Sequence, residues 1–434
     1  MAGSGIRTST TLFLAQVFSV AVLFVTSFIL AQNLSPSEYG DFSAAYSCVA
    51  IAYVVCLLGA DITAFNVISV AHSKNNVKDI NAYVAYVFTT VLAMSAALYT
   101  LGLVAFLVLR NVLEVQASHP VFVAVLFTPA MSMTFFFYKV LTSMSSPVLS
   151  NMVYKVVLNA VVLVFVLVMA RTAGDASART AVVAYLTPWL LVLVLFVILF
   201  RRRTAGAGAG KSPIQLRAWL VPGVSAMPYS IALMALANLG VISAELFAGD
   251  EEQVGHYAAA TWVSQLFNTL FVSLAFTLHL SRASLCVSEG RPRELRGLIK
   301  RHLTSMSVIG AGFLLVIVVY GKQILRLYGE SYTDAYAALV LLTLMQVIVV
   351  LCSLATPILN YMGHHTMTAA FSVLLIILIV PASYVLDRLW GVTGIALSLL
   401  LAVAVTFVPK QILLMIAVRR QIHQRADTAL APVR

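Results

Sequence analysis

Four ionisable side chains lie within stretches of the sequence that are otherwise apolar: Asp61, Lys139, Lys155 and Lys410. A charge placed in such a stretch is costly, so it is typical of a binding site, an ion pathway or a buried pair that holds helices together. Lysines suit an anionic ligand such as a phosphate, whereas the carboxylate of Asp61 suits a proton or a cation.

Each of these residues also has a structural interpretation. Lys139 and Lys155 lie about a turn from predicted helix ends, so they either bind a ligand or extend to the membrane surface. Lys410 is interpreted as extending to the surface in this way. Asp61 either titrates with a proton or a cation, or pairs with a lysine and holds two helices in place.

Neutral polar residues near these charges suit a carbohydrate ligand. Tyr154 and Asn159 flank Lys155, and Trp262, Gln265 and Asn268 follow one another at intervals of three residues. That spacing places the last three on one face of a helix, where an aromatic ring and two amides can bind sugar hydroxyls. Hydrogen bonding between helices explains the same stripe equally simply.

The composition defines the elements that must position these side chains. Of 434 residues, 61% are hydrophobic and 10% charged, with a mean hydropathy of +0.97. These values predict an all-α, polytopic membrane protein, because lipid offers no partners to non-helical backbone. We predict about twelve spans, at 9–31, 42–68, 82–109, 119–142, 151–170, 180–200, 218–243, 255–281, 303–320, 335–360, 366–386 and 390–417.

Charges in the gaps between the spans predict how the chain is threaded. If the N-terminus is cytoplasmic, the inner segments hold 18 of the 27 basic residues, including the run Arg201, Arg202 and Arg203. Basic residues concentrate on the cytoplasmic side of membrane proteins, so both termini are predicted inside. The basic residues responsible for the net charge of +11 then face an anionic lipid leaflet. Because the leaflet accounts for this charge, no nucleic-acid partner is expected.

The segment 204–217 is predicted to link two lobes, 1–203 and 218–434. Similar sequences begin spans two and eight, with Gly40 and Gly255 at matching positions. Because six spans separate them, the two copies are parallel in the membrane, as in transporters with two bundles. The phosphate-loop-like run AGAGAGKS at 205–212 begins with alanine and lacks a preceding strand, so we interpret it as part of the linker.

Three motifs carry a resemblance to a known family. They are LSPSEYG at 34–40, YGESYTDA at 328–335 and NYMG at 360–363. They resemble junctions of the polysaccharide (O-antigen) flippases in the multidrug/oligosaccharidyl-lipid/polysaccharide exporter superfamily. The resemblance implies two parallel six-helix lobes around a central cavity. It also implies movement of an undecaprenyl-diphosphate-linked oligosaccharide across the bacterial inner membrane, to its periplasmic leaflet.

The resemblance further implies membrane lipids, a glycan polymerase and a chain-length regulator as partners. In this interpretation the diphosphate and sugars meet Lys139, Lys155, Tyr154, Asn159, Trp262, Gln265 and Asn268, and Asp61 couples an ion. No cofactor or metal is expected.

Three other functions are weighed against a flippase. A cation-coupled multidrug exporter of the same superfamily requires an acidic site, and Asp61 is the only predicted intramembrane carboxylate. A glycan polymerase or ligase requires a larger outer segment and a catalytic constellation, so no enzymatic activity is expected. A sugar porter of the major-facilitator type has a characteristic loop after span two, which VAHSKNNVKD at 70–79 does not match.

Overall fold

A computed structural model describes residues 2–113, 119–144, 146–172, 176–205, 213–275 and 279–430 of this chain. These residues form helices and short connections, with no strand among them, which confirms the predicted all-α fold. The α-helices of the N-terminal part are α1 (Ala2–Asn33), α2 (Pro36–Leu57), α3 (Ala60–Ser73), α4 (Val77–Leu113), α5 (Pro120–Val125), α6 (Thr128–Ser143), α7 (Pro147–Asn151), α8 (Leu158–Thr172) and α9 (Ala178–Thr204).

The remaining α-helices are α10 (Leu216–Phe247), α11 (Glu251–Ala275), α12 (Ser281–Ser288), α13 (Pro292–Arg326), α14 (Tyr336–Leu351), α15 (Ala355–Tyr361) and α16 (His365–Leu430). A π-helical segment, Met152–Val157, joins α7 to α8, and a 3-10 segment, Glu330–Ala335, precedes α14.

Nine helical segments in the described part of the chain are long and apolar enough to cross a membrane. The difference from the predicted twelve has three sources. α16 contains non-helical backbone at Trp390 and Gly391, so its 66 residues comprise the two helices predicted as spans eleven and twelve. The fourth span is interrupted between α5 and α6, and the predicted eighth span, 255–281, continues from α11 into residues 276–278, which lie outside the described residues.

Local sequence explains where several helices begin. Ser35 caps α2 by accepting a hydrogen bond from the backbone N–H of Glu38, and Pro36 occupies the first turn. Ser177 and Thr180 form a reciprocal capping box at the start of α9. The motif at 34–40, which carries the family resemblance, therefore also marks the start of α2.

The second predicted span is broken into α2 and α3 by two residues with positive φ angles, Leu58 at 46° and Gly59 at 74°. The break packs tightly on α10, because a Cβ added to Gly59 would lie 2.0 Å from the carbonyl oxygen of Gly223. Glycine is therefore required at position 59 for both its backbone conformation and the close approach of α10.

The glycines aligned by the internal repeat lie against each other. A Cβ on Gly40 would be 2.9 Å from the backbone nitrogen of Gly255, and a Cβ on Gly255 would be 1.9 Å from the carbonyl oxygen of Pro36. The first turns of α2 and α11 thus meet backbone to backbone.

The chain divides into two compact units, Met1–Ala258 and Ala259–Arg434. The first has a core rich in large aromatic side chains, among them the fully buried Tyr39, Tyr83 and Phe136. The second is built around aliphatic side chains such as Ile299 and Leu414.

This division differs from the predicted linker at 204–217, because α10 packs along α2 and is part of the first unit. Residues 206–212 of the linker, with most of the AGAGAGKS run, lie outside the described residues. The assignment of 1–203 and 218–434 to separate lobes stays a prediction.

Candidate functional site

Asp61 lies directly after the break between α2 and α3, in the first turn of α3. Its side chain is buried, at 6% exposure, and its Oδ1 atom has no hydrogen-bond partner in the described structure. The N-terminus of a helix carries a partial positive charge, which stabilises a carboxylate at this position. Asp61 therefore retains an unused acceptor inside the protein.

Lys139, on α6, is half-buried among aromatic rings. Its Nζ atom lies 4.9 Å from the ring centre of Phe135 and 5.4 Å from those of Phe65 and Tyr138. Cation–π contacts of this kind hold an ammonium group within a few ångströms of the rings. Asp61 acts on Lys139 electrostatically, but the two do not form a direct ion pair. Among the described residues, no carboxylate oxygen lies within 4.0 Å of Nζ of Lys139.

Lys155 lies in the π-helical segment and donates a hydrogen bond to Oε1 of Gln16 on α1. One turn later, Asn159 donates to Oγ of Ser19, also on α1, at 2.7 Å. Isolated π-helical turns are frequent at functional sites, because they rotate the side chains of one turn away from the regular helical register. The ammonium group of Lys155 is held by a neighbouring helix and lies close enough to Lys139 for the two charges to interact.

Tyr154 belongs to a group of packed aromatic rings beside the two lysines. Its ring stacks on that of Tyr138 at a centroid distance of 4.5 Å and an interplanar angle of 17°. Trp189 contacts Tyr154 edge-on at 6.0 Å. The ring centre of Phe135 lies 5.9 Å from that of Tyr154.

Five predicted site residues therefore belong to the first unit and are linked by contacts or electrostatic interactions. We call this group the lysine site: Asp61, Lys139, Tyr154, Lys155 and Asn159. It contains two ammonium groups and one carboxylate, and the direct partner of Lys155 is a neutral amide. With all three groups ionised, the lysine site has an excess of one positive charge, which suits a ligand with phosphate oxygens.

The other predicted site residues, Trp262, Gln265 and Asn268, lie on α11 in the second unit and are half-buried. Nδ2 of Asn268 donates a 2.6 Å hydrogen bond to Oε1 of Gln346 on α14. This bond fits the alternative in which the stripe joins helices. A role of the stripe in sugar binding stays a prediction.

The prediction that the side chain of Lys410 extends to the membrane surface is wrong. Lys410 is 2% exposed, and its Nζ lies 4.0 Å from the ring centre of Phe407. The reason is the length of α16, which continues to Leu430, so that Lys410 lies well inside the helix.

Two groups of residues in the site were not recognised from the sequence. Gln16 and Ser19 lie three residues apart in the apolar first span, and this spacing was the available signal for a polar face on α1. Phe135 and Tyr138 belong to an aromatic run that packing alone explains, and only the fold shows that they surround Lys139.

Comparisons with known proteins show the fold. No family model matches the chain, and no curated protein does. The chain is similar to the inward-facing conformation of a multidrug resistance MATE family transporter of the MOP superfamily, with 14% identity, a TM-score of 0.67 and coverage of 94% of this chain and 99% of that chain. It is also similar to a mutant of the Vibrio cholerae MATE transporter VcmN, with 15% identity, a TM-score of 0.65 and coverage of 96% and 98%.

An outward-facing conformation of a MATE family transporter of the same superfamily is similar at a TM-score of 0.62, with 14% identity and 96% coverage of each chain. At these identities the similarity shows architecture alone. The chain is an all-α, multi-pass membrane protein with the fold of MATE transporters.

Proposed function

We propose that this protein is a flippase that moves a diphosphate-linked oligosaccharide lipid across the bacterial inner membrane, with both termini in the cytoplasm. The observation that carries the proposal is the excess positive charge of the lysine site, where two lysines lie with one carboxylate: Asp61 acts on Lys139, and Lys155 donates to the neutral amide of Gln16. The MATE-type fold supports transport, since its known examples named above are transporters. The sequence motifs support the polysaccharide branch of the superfamily.

The side chains divide the ligand between them. The ammonium groups of Lys139 and Lys155 bind the diphosphate through charge-assisted hydrogen bonds, which are roughly twice as strong as neutral ones. Tyr154 offers a sugar the ring face that is not stacked on Tyr138. Nδ2 of Asn159 already donates to Ser19 and to the backbone of Lys155, so Asn159 accepts hydrogen bonds from sugar hydroxyls through Oδ1. The prenyl tail remains in the lipid throughout, so the protein does not have to move its apolar surface into water.

Alternating access is the proposed mechanism of movement. In transporters with two parallel bundles, substrate binds near the middle of the membrane beside discontinuous helices, and the bundles rock around that site. The break at Leu58 and Gly59, immediately before Asp61, is a discontinuity of this kind. Protonation or cation binding at Asp61 would alter the charge of the lysine site and therefore its affinity for the diphosphate.

A cation-coupled multidrug exporter is the second candidate. The unused Oδ1 acceptor of Asp61 favours it, because a buried carboxylate with no hydrogen-bond partner at that atom can receive a cation. The two lysines oppose it, because a site with excess positive charge repels cationic drugs.

Transport by the purified protein in liposomes distinguishes the two functions. One set of liposomes contains an undecaprenyl-diphosphate-linked oligosaccharide, and the other receives a fluorescent cationic drug. We expect protein-dependent movement of the lipid-linked sugar to the opposite leaflet and no drug accumulation. Drug accumulation without sugar movement would replace the flippase with the exporter.

A further inference from the structure

A second group of ionisable side chains lies outside the lysine site, where three helices of the first unit meet. Asp41 is near the start of α2, His119 directly precedes α5, and Glu245 is in the last turn of α10. Nε2 of His119 lies 3.1 Å from Oε1 of Glu245 and 3.8 Å from Oδ1 of Asp41. One donor atom from each of the three lies within 4.8 Å of the others.

The charges around this group are unbalanced. Asp41 is influenced electrostatically by Glu245, Glu38 and Glu251, and among the described residues His119 is the only basic group acting on it. The three side chains are partly shielded from solvent, with exposures of 32% for Asp41, 22% for His119 and 25% for Glu245. Asp41 and the three glutamates that act on it outnumber the one imidazole, which leaves negative charge that a cation would neutralise.

We propose that Asp41, His119 and Glu245 bind a divalent transition-metal cation of the zinc class. Zinc accepts imidazole nitrogen and carboxylate oxygen, and three protein ligands with one open position are a common arrangement. Ligand atoms about 2.1 Å from a tetrahedral zinc lie about 3.4 Å apart. The two distances from Nε2 of His119, 3.1 and 3.8 Å, bracket this value, and the two carboxylate oxygens lie within 4.8 Å of each other, so side-chain rotations can bring the three donors around one ion.

Metal binding changes the hydrogen bonding of His119 in a defined way. Nδ1 of His119 accepts a 3.3 Å hydrogen bond from the backbone N–H of Val121, which places the proton of a neutral ring on Nε2. A metal on Nε2 moves that proton to Nδ1, so the bond from Val121 is released and Nδ1–H turns to water. The hydrogen bond that is lost is long, at 3.3 Å, and therefore weak. In exchange the metal gains three ligands, namely the imidazole ring and two carboxylates.

The cation would join three helices that are far apart in sequence. By the charge-based topology, the site lies at the outer ends of α2, α5 and α10, so the cation comes from the outside of the membrane. Binding at this position would strengthen the contact of α10 with α2. The inference stands apart from the proposed function, since metal binding requires no transported substrate.

Zinc binding to the full-length protein, with any affinity tag removed, tests the proposal. The protein in lipid nanodiscs is dialysed against zinc chloride, and bound metal is counted by mass spectrometry. The test variants are His119→Asn, whose side chain can still accept the bond from Val121, and Glu245→Gln, which keeps the shape of the side chain. The matched controls are Glu252→Gln, a nearby acid outside the group, and His364→Asn, a histidine elsewhere.

We expect one zinc ion per wild-type chain, at least tenfold weaker binding in both test variants, and wild-type binding in both controls. Equal binding in all five proteins would overturn the proposal.

A second measurement uses the wild-type protein alone, so it does not depend on the folding of any variant. Zinc should raise its thermal midpoint, and cobalt should give a visible absorption band that zinc abolishes. A wild-type protein that shows neither effect contradicts the site, whatever the variants do.

Discussion

Lys155 lies in an environment that differs from the simplest sequence interpretation. A lysine that extends to the membrane surface ends in water, whereas Lys155 donates to Gln16 on α1. We predict that Lys155→Met weakens binding of a prenyl-diphosphate headgroup about tenfold or more, because hydrogen bonds to charged groups contribute about 1.5–3 kcal/mol each. Isothermal titration with the protein in nanodiscs measures this.

Lys300→Met is the matched control for that substitution, because Lys300 is exposed on α13. It should leave the affinity unchanged. A Lys155→Met protein that binds the headgroup as well as wild type would restrict Lys155 to a structural role on α1.

Asp61 gives the second prediction at the scale of a residue. Removing its negative charge increases the positive excess around the two lysines, so Asp61→Asn should bind the diphosphate headgroup more tightly than wild type. The same variant should lose any dependence of transport on an ion gradient, because Asn does not titrate. Headgroup affinity and transport with and without a gradient are the two measurements.

The two readouts separate the interpretations of Asp61. If ion dependence is unchanged in Asp61→Asn, coupling takes place elsewhere. Weaker headgroup binding in the variant would instead indicate that Asp61 holds Lys139 in position.

The close contact of α2 with α11 depends on glycine. Gly255→Ala places a Cβ within 1.9 Å of the carbonyl oxygen of Pro36, a backbone atom that can move only with its helix. Overpacking of this kind typically costs about 1–3 kcal/mol, so we predict a lower thermal midpoint for Gly255→Ala. Gly102→Ala is the control, because nothing lies within 4 Å of its added Cβ.

A helix-interior alanine is favoured over glycine by about 0.5–1 kcal/mol, so Gly102→Ala should be neutral or stabilising. Differential scanning fluorimetry of the two variants compares the effects. Equal midpoints would show that the helices separate easily at Gly255.

At the scale of elements, hydrophobic length predicted the helices well and their interruptions poorly. The spans at 82–109 and 180–200 lie within single helices, because length and apolar content suffice to define them. The positive φ angle of Leu58 could not be predicted, since leucine rarely adopts it and the close approach of Gly223 to the Leu58 carbonyl oxygen is visible only in the fold.

The candidate sites show the same limit. Asp61, Lys139 and Lys155 were recognisable because a charge in an apolar span is unusual whatever surrounds it. Asp41, His119 and Glu245 are ordinary loop-proximal residues in the sequence, separated by up to about two hundred positions. Only the fold brings them together, so no local pattern could have identified the group.

The whole molecule has a predicted orientation that labelling can test. Gly249 lies between α10 and α11 on the predicted outer side, and Ser288 lies at the end of α12 on the inner side. In intact cells, a membrane-impermeant maleimide should label Gly249→Cys but label Ser288→Cys only after permeabilisation. Three native cysteines are buried and Cys48 is partly so, which keeps the background of the wild-type control low.

The opposite labelling pattern would invert the topology. The basic run at 201–203 would then face outward, and the direction of transport proposed here would be reversed.

The proposed function is that paired lysines inside a MATE-type fold carry a diphosphate-linked sugar across the membrane. Its most direct test is the initial rate at which such a lipid, placed in the inner leaflet of protein-containing liposomes, becomes accessible to an added lectin. We predict rapid exposure with the wild-type protein and with Lys300→Met, and a rate at least tenfold lower with Lys139→Met/Lys155→Met. Equal rates for the double variant and the wild type, with both proteins properly inserted, would contradict it.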